Sequence, residues 1–310
     1  MTTLRASFWF CNGIRPKDSA YTLLIRRRRG IVTQDEKGRA FRALHERDGA
    51  FIIPNPWDVG SARLLTHLGF EALATTSMGY AFSIGRRDNT IDRPETMAHA
   101  SAIASATHLP VSADLENGFG DAPENVAETI RLAAAAGVVG GSIDDATGRQ
   151  EHPIYEREHA VERVRAAVAA ARALPFAFTL TARAENYLHG RPDLRDTIER
   201  LQSYQEAGAD VLYAPGLASK DDIVAVVTSV DRPVNVVMGL RGVQLSLPDL
   251  AAIGVRRVSV GSALCRTALG AFLRAAREMQ EHGTFAFAAE AANPREISAI
   301  FQDTTSATKQ

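Results

Sequence analysis

Residues 111–120 read Val-Ser-Ala-Asp-Leu-Glu-Asn-Gly-Phe-Gly and place two carboxylates two positions apart in a short, otherwise apolar run. On a strand, side chains alternate between faces, so Ser112, Asp114 and Glu116 share one face and Val111, Ala113 and Leu115 the other. Two carboxylates on one face repel each other, and a divalent cation is the simplest charge that relieves them. Gly118 and Gly120 then give the chain freedom to turn sharply and approach a ligand closely. The competing reading is a strand that runs out into a solvated acidic turn.

Groups of the same kind recur further along. Asp88 follows the stretch Thr75-Thr-Ser-Met-Gly79. Asp144 and Asp145 are adjacent and so point to opposite sides, which leaves one at most facing the same place as Asp114. Arg183 stands just before Glu185 and Asn186, and its planar guanidinium suits a bidentate grip on a substrate carboxylate. Asn235 and the pair Gly261-Ser262 complete the set.

An alternating pattern positions these groups. Strands are expected at 51–54, 71–75, 111–115, 139–143, 176–182, 211–214, 234–237 and 255–260. Helices are expected at 34–47, 59–68, 94–107, 123–136, 157–173, 193–207, 221–227, 247–252 and 263–282, with Gly137 and Gly208 closing two of them. The strands are short and rich in Val, Ile and Ala without alternation, which suits a parallel sheet buried on both faces. Eight such units close into a (β/α)8 TIM barrel, and the polar groups above then fall at the C-terminal ends of its strands, on one rim. The alternative fold, an open doubly wound sheet, calls for a glycine fingerprint after its first strand, and Pro54-Asn-Pro-Trp-Asp58 is nothing like one. A further helix at 294–301 lies past the closed barrel and needs something to pack on, a neighbouring subunit being the expectation.

Composition narrows the field. The chain has 310 residues, 45% of them apolar, enough for a sizeable core. A formal net charge of −1 gives the whole molecule no electrostatic case for nucleic acid. No run approaches the roughly 18 apolar residues of a membrane span. Cys11 and Cys265 form no cluster and suggest a reducing, cytoplasmic setting. Residues 1–30 mix aromatics with a basic run, Arg26 to Arg29, and do not share the barrel pattern. They are expected to be an N-terminal extension outside the catalytic barrel of residues 31–310. A translation start placed too early explains them better than a transit peptide, and a signal peptide would carry its charge first.

The motifs resemble those of the isocitrate lyase/phosphoenolpyruvate mutase superfamily. The carriers are Asp114-Leu-Glu-Asn-Gly-Phe-Gly120, Asp144-Asp145, Ala182-Arg-Ala-Glu185, Gly208-Ala-Asp with Pro215-Gly216, Gly69 to Leu73, and Ser77-Met-Gly79 with Asp88. The resemblance spans about residues 35–301 and implies a TIM barrel that assembles as a homodimer or homotetramer with a terminal helix exchanged. It implies Mg2+ held mainly through Asp114, with help from Glu116 and Asp144. It further implies a small α-keto acid substrate bound at the loop of Ser77, Met78 and Gly79 and at Asn235, with Arg183 and Asp88 as catalytic groups.

Two departures stand out. Glu116 stands where the family has Asp, and Asp144 where it has Glu. The loop Ala146-Thr-Gly-Arg-Gln-Glu-His-Pro-Ile-Tyr155 has neither the cysteine of the lyases nor the Asn-Ser pair of the phosphonate-forming mutase; Arg149, His152 and Tyr155 are its residues suited to an acid or phosphate-binding role, with His152 the catalytic candidate. The expected activity is a Mg2+-dependent lyase or mutase working through an enolate. The alternatives are a keto-acid binder without turnover and a Schiff-base aldolase, for which Lys220 and Lys37 are the only lysines in the barrel body.

Overall fold

A computed structural model describes residues 32–240 and 242–302; the expected extension at 1–30 lies outside them. The described chain alternates α1 (Gln34–Glu46), β1 (Phe51–Ile53), α2 (Val59–His67), β2 (Leu73–Ala74), α3 (Ser77–Ser83), α4 (Arg93–Ser105), β3 (Val111–Asp114), α5 (Pro123–Ala135), β4 (Gly140–Asp144) and α6 (Arg157–Arg172). It continues with β5 (Thr179–Arg183), α7 (Leu194–Glu206), β6 (Val211–Tyr213), α8 (Lys220–Thr228), β7 (Val234–Val237), α9 (Leu247–Ala252), β8 (Arg257–Ser259), α10 (Ala263–His282), a 3-10 turn (Ala286–Glu290) and α11 (Pro294–Gln302). Capping side chains fix where helices begin: Thr33, Asp58, Asp92 and Ser246 each close a reciprocal capping box.

All strand pairs are parallel, in the order β1-β8-β7-β6-β5-β4-β3-β2. Where β1 meets β2 the ladder is reduced to one backbone bond, from Ala74 N to the Pro54 oxygen at 3.1 Å. Asn55 reinforces that seam. Its amide nitrogen donates to the Thr75 oxygen at 3.0 Å, and its Oδ1 accepts from the Val260 and Gly261 amides at 2.9 Å each. The eight strands therefore form a nearly closed (β/α)8 barrel, as the alternation predicts.

Two apolar layers fill the space between the strands and the outer helices, one around Leu73, Ile130 and Leu180 and one around Leu201, Leu212 and Val258. A third cluster, Phe41, Leu44, Phe51, Ile53, Ala72 and Val139, plugs the N-terminal end of the barrel under α1. Close packing there depends on two glycines. A Cβ on Gly38 would lie 2.3 Å from the Ala177 oxygen, and one on Gly140 would lie 2.7 Å from the Phe41 ring.

The structure departs from the sequence pattern in places. The strand expected at 176–182 begins at Thr179 and ends on Arg183 itself, because residues 176–178 are the lead-in that meets α1. The expected loop at Ser77-Met78-Gly79 is instead the first turn of α3, capped by the Thr76 side chain. Two turns with a glycine at the third position carry too little periodicity to reveal a helix. Gly118 and Gly120 serve packing rather than ligand approach: Gly118 adopts φ +80° against Val126, and a Cβ on Gly120 would lie 2.5 Å from the Asn125 amide. No described helix is long and apolar enough to cross a membrane.

Candidate active site

At the C-terminal ends of the strands a cavity of about 610 Å³ opens between the rim loops and reaches inward as far as Arg257. Asp88, Asp114, Glu116, Asp144, Arg183 and Glu185 all line it. Asp114, the last residue of β3, is held from several sides. Its amide donates to Thr75 Oγ1 at 2.8 Å, its Oδ2 accepts from Ser77 Oγ at 3.0 Å, and its Oδ1 accepts from Arg183 at 3.0 Å. Glu116 reaches the same cavity by a route that strand alternation does not provide. β3 ends at Asp114, and Glu116 takes a left-handed backbone at φ 47°, an unusual conformation for a non-glycine residue.

Arg183 is the charge at the centre of this group. Its guanidinium joins Glu185 Oε1 at 2.8 Å and Asp114 Oδ1 at 3.0 Å, with the Tyr213 ring 5.1 Å from its centre. Burial works against its charge, and Glu185 and Asp114 more than offset that. One arginine does not balance the remaining acids. Burial, then the charges of Asp114 and Asp88, push the Glu116 carboxyl up to about 8. Burial, then Glu185, pushes Asp144 well above the carboxylate range, and burial raises Asp88 as well. Glu116 Oε1 and Asp88 Oδ1 are buried with no hydrogen-bond partner. Carboxylate oxygens left bare around a polar cavity are acceptors for a cation.

The neighbouring aspartate faces the other way, as adjacency requires. Asp145 is buried, accepting from Tyr204 at 2.6 Å, Arg200 at 3.1 Å and the Glu185 amide at 2.8 Å. It thereby fixes the backbone that carries Glu185, the partner of Arg183.

Not every expected residue reaches the cavity. Ser77, Met78 and Asn235 line it, whereas Gly79 is buried in α3. The Asn235 amide is fully engaged, accepting from Arg257 Nε at 2.8 Å and donating to Ser259 Oγ at 3.0 Å. His152 lies outside the lining, and its carbonyl accepts from Thr147 in a loop pinned back by an Ala146–Ile154 bridge. Two further residues of that loop are held at Asp121, which accepts from Arg149 at 2.8 Å and from the Tyr155 hydroxyl at 2.6 Å. Arg163 of α6, buried under the Tyr155 ring, donates to the carbonyls of Asn117, Gly120 and Asp121. Sequence reasoning missed Asn55, His189 and Arg257. Asn55 and Arg257 are polar residues in or beside apolar strands, a signal the sequence does carry; His189 lies in a polar loop that gives none.

The sequence pattern of the phosphoenolpyruvate phosphomutase family matches residues 41–280. The chain belongs to the phosphoenolpyruvate mutase/isocitrate lyase superfamily. It is an enzyme of that lyase and mutase group, whose members act on keto acids. Among solved structures it is similar to a Burkholderia cenocepacia J2315 protein described as a lyase/mutase, at 66% identity and TM-score 0.85 over 86% of this chain and 96% of that one. It is also similar to phosphonopyruvate hydrolase in complex with oxalate and Mg2+, at 26% identity and TM-score 0.77 over 86% and 95%. Oxaloacetate decarboxylase of Chromohalobacter salexigens is 29% identical across 80% of this chain and 87% of its own.

Among the described residues, no three carboxylate, histidine or cysteine side chains converge tightly enough to enclose a metal alone. The donor set nevertheless fits Mg2+, which keeps several waters and takes one or two carboxylates rather than a protein cage. The bare Glu116 oxygen and the excess of acids over cations favour a divalent ion at this position.

Proposed function

We propose that the protein is a Mg2+-dependent lyase that cleaves a carbon–carbon bond of a small α-keto acid through an enolate. The observation that carries this reading is the acid cluster of Asp88, Asp114, Glu116 and Asp144 around one cavity, with bare oxygens on Asp88 and Glu116 and a single arginine among them. Asp114, Glu116 and Asp144 would hold the ion. When bound, Mg2+ supplies a Lewis acid for the oxygen on which negative charge develops. The chain's own groups do the rest. Arg183, permanently charged and rigidly held by Glu185, faces the cavity and stabilises charge that spreads into the enolate. Ser77 and Met78 line the wall beside Asp114 and bound the carboxylate end of the substrate. Carbon–carbon cleavage takes precedence over phosphorus chemistry because a transferred phosphoryl group calls for several cationic partners, and Arg183 and Arg257 are the only arginines or lysines lining the cavity among the described residues. The oxalate and decarboxylase names of the relatives support the same substrate class.

The test is calorimetric titration of oxalate, a planar enolate mimic, with and without Mg2+, followed by turnover assays on oxaloacetate, 2-methylisocitrate, 2,3-dimethylmalate and phosphonopyruvate. Oxalate binding that depends on Mg2+ and disappears in Asp114→Ala, with the melting temperature little changed, is the expected result. Mg2+-dependent oxalate affinity that survives Asp114→Ala refutes the assignment. We further propose a homodimer or homotetramer. Phe272, Leu273 and Met279 on α10 and Phe285 beyond it are exposed, and α11 buries no residue of its own within one chain. A monomer by light scattering at micromolar concentration refutes that.

A further inference from the structure

We propose that His189 delivers the proton to the substrate-derived enolate carbon, an inference that rests on the α-keto acid reading above. Enolate chemistry ends with a proton placed on carbon, and the cavity has few groups that can supply one. Among the described residues lining it, His189 is the only histidine, and there is no cysteine or lysine. Asp114 and Glu185 are committed to Arg183. Glu116 and Asp144 belong with the cation, and Asp88, its Oδ1 bare, belongs to the same acid cluster that the cation neutralises. Burial pushes the Tyr213 hydroxyl up to about 12, and the two arginines do not release protons in this range. His152 lies outside the cavity altogether.

The backbone holds His189 at the rim. Beyond β5 the chain makes a tight turn in which the Leu188 and His189 amides donate to the Glu185 oxygen at 3.1 and 3.2 Å, and Gly190 reverses the chain at φ +70°. Leu188 seats this turn beside Gly216, where even a Cβ would come within 3.1 Å of the leucine side chain. The imidazole projects into the cavity with Nε2 4.0 Å from Glu185 Oε2 and 31% of the side chain exposed. It makes no hydrogen bond to a described residue, so its ring is free to meet a bound molecule, and its exposure gives solvent access to restore a spent proton.

The step balances without an oxidant or co-reactant. Decarboxylation of a β-carboxy α-keto acid such as oxaloacetate breaks the bond to the carboxylate, which departs as carbon dioxide, and leaves the bond's electron pair on the keto-acid fragment as an enolate. The enolate π pair takes the imidazolium N–H proton and forms the new C–H bond. The N–H bonding pair stays on nitrogen, the ring becomes neutral, and water returns one proton before the next cycle. Such a donor contributes roughly 10²- to 10⁴-fold to a rate.

Reversal of the step provides the assay. Wild type and His189→Gln are incubated with Mg2+ and pyruvate in D2O, and methyl hydrogen exchange is followed by NMR, alongside oxalate titration and thermal melting. The expected result is exchange slowed by roughly 10²-fold or more, with oxalate affinity and melting temperature retained. Exchange at the wild-type rate in His189→Gln overturns the inference and leaves the lyase reading intact. Loss of oxalate binding together with exchange also overturns it, because His189 is then a binding group. A wild type inert toward exchange and toward every compound of the panel overturns the reading and the inference together.

Discussion

At the floor of the barrel His45 and Arg257 lie buried side by side, and each of their side-chain nitrogens has a partner. His45 Nδ1 donates to the Phe41 oxygen at 2.8 Å, and Nε2 accepts from Arg257 at 3.4 Å. Arg257 also donates to Asn235 and Thr181. At the mouth, Asp88 and Glu116 each keep a buried oxygen that nothing answers. Both ends carry charge into a poorly solvated place, yet only the floor resolves it internally, with a neutral histidine accepting from a cation. A satisfied polar group contributes specificity and stability, whereas an unsatisfied one is retained where a ligand completes it. The contrast assigns stability to the floor and chemistry to the mouth, and it can be broken at either end.

The largest effect is expected at the floor. Gly38→Ala would drive a Cβ to 2.3 Å from the Ala177 backbone oxygen, which cannot give way as a flexible side chain would. A loss of about 3 kcal/mol, or about 6–12 °C in melting temperature, is expected, with kcat/KM of the remaining folded enzyme unchanged. Wild-type thermal stability in Gly38→Ala contradicts the account of the plug.

Next comes Arg183→Lys at the mouth. A lysine loses the fork that spans Asp114 and Glu185, so kcat should fall roughly 10²-fold, more than KM rises, with little change in the melting curve. Lost stability with turnover intact would make Arg183 structural and erase the contrast.

The smallest effects are opposite slopes of stability with pH. Burial, then the Arg257 charge, lowers the His45 pKa from 6.5 to about 3. Below 6.5 the unfolded chain binds a proton that the folded one refuses until about 3, so this stabilisation is lost as pH falls, by about 2 kcal/mol at pH 5. Glu116 works the other way, since the folded state keeps a proton from 4.5 to about 8 that the unfolded state has released. Its contribution shrinks as pH rises through that window and is lost above about 8. Urea melts across pH should show His45→Gln flattening the acid arm and Glu116→Gln the alkaline arm. Saturating Mg2+ should remove the second arm alone, and an unchanged alkaline arm with Mg2+ speaks against the ion at Glu116.

The pattern of short apolar strands alternating with helices determined the barrel, because parallel strands buried on both faces leave a periodicity that survives without knowledge of their neighbours. It also determined that Asp114, Asp144 and Arg183 stand on one rim, since strand ends fall on that rim whatever the loops do. Tertiary structure alone decided the rest. Glu116 reaches the cavity through a left-handed turn that alternation does not encode. His152 turns away because Thr147, Arg149 and Tyr155 tie its loop back through contacts up to 34 residues apart in sequence. Leu188, 28 residues before Gly216 in the chain, rests beside it, and the turn so seated holds His189 at the rim. Local sequence records propensity and facing, but whether a charge is answered depends on residues that only the closed barrel brings together.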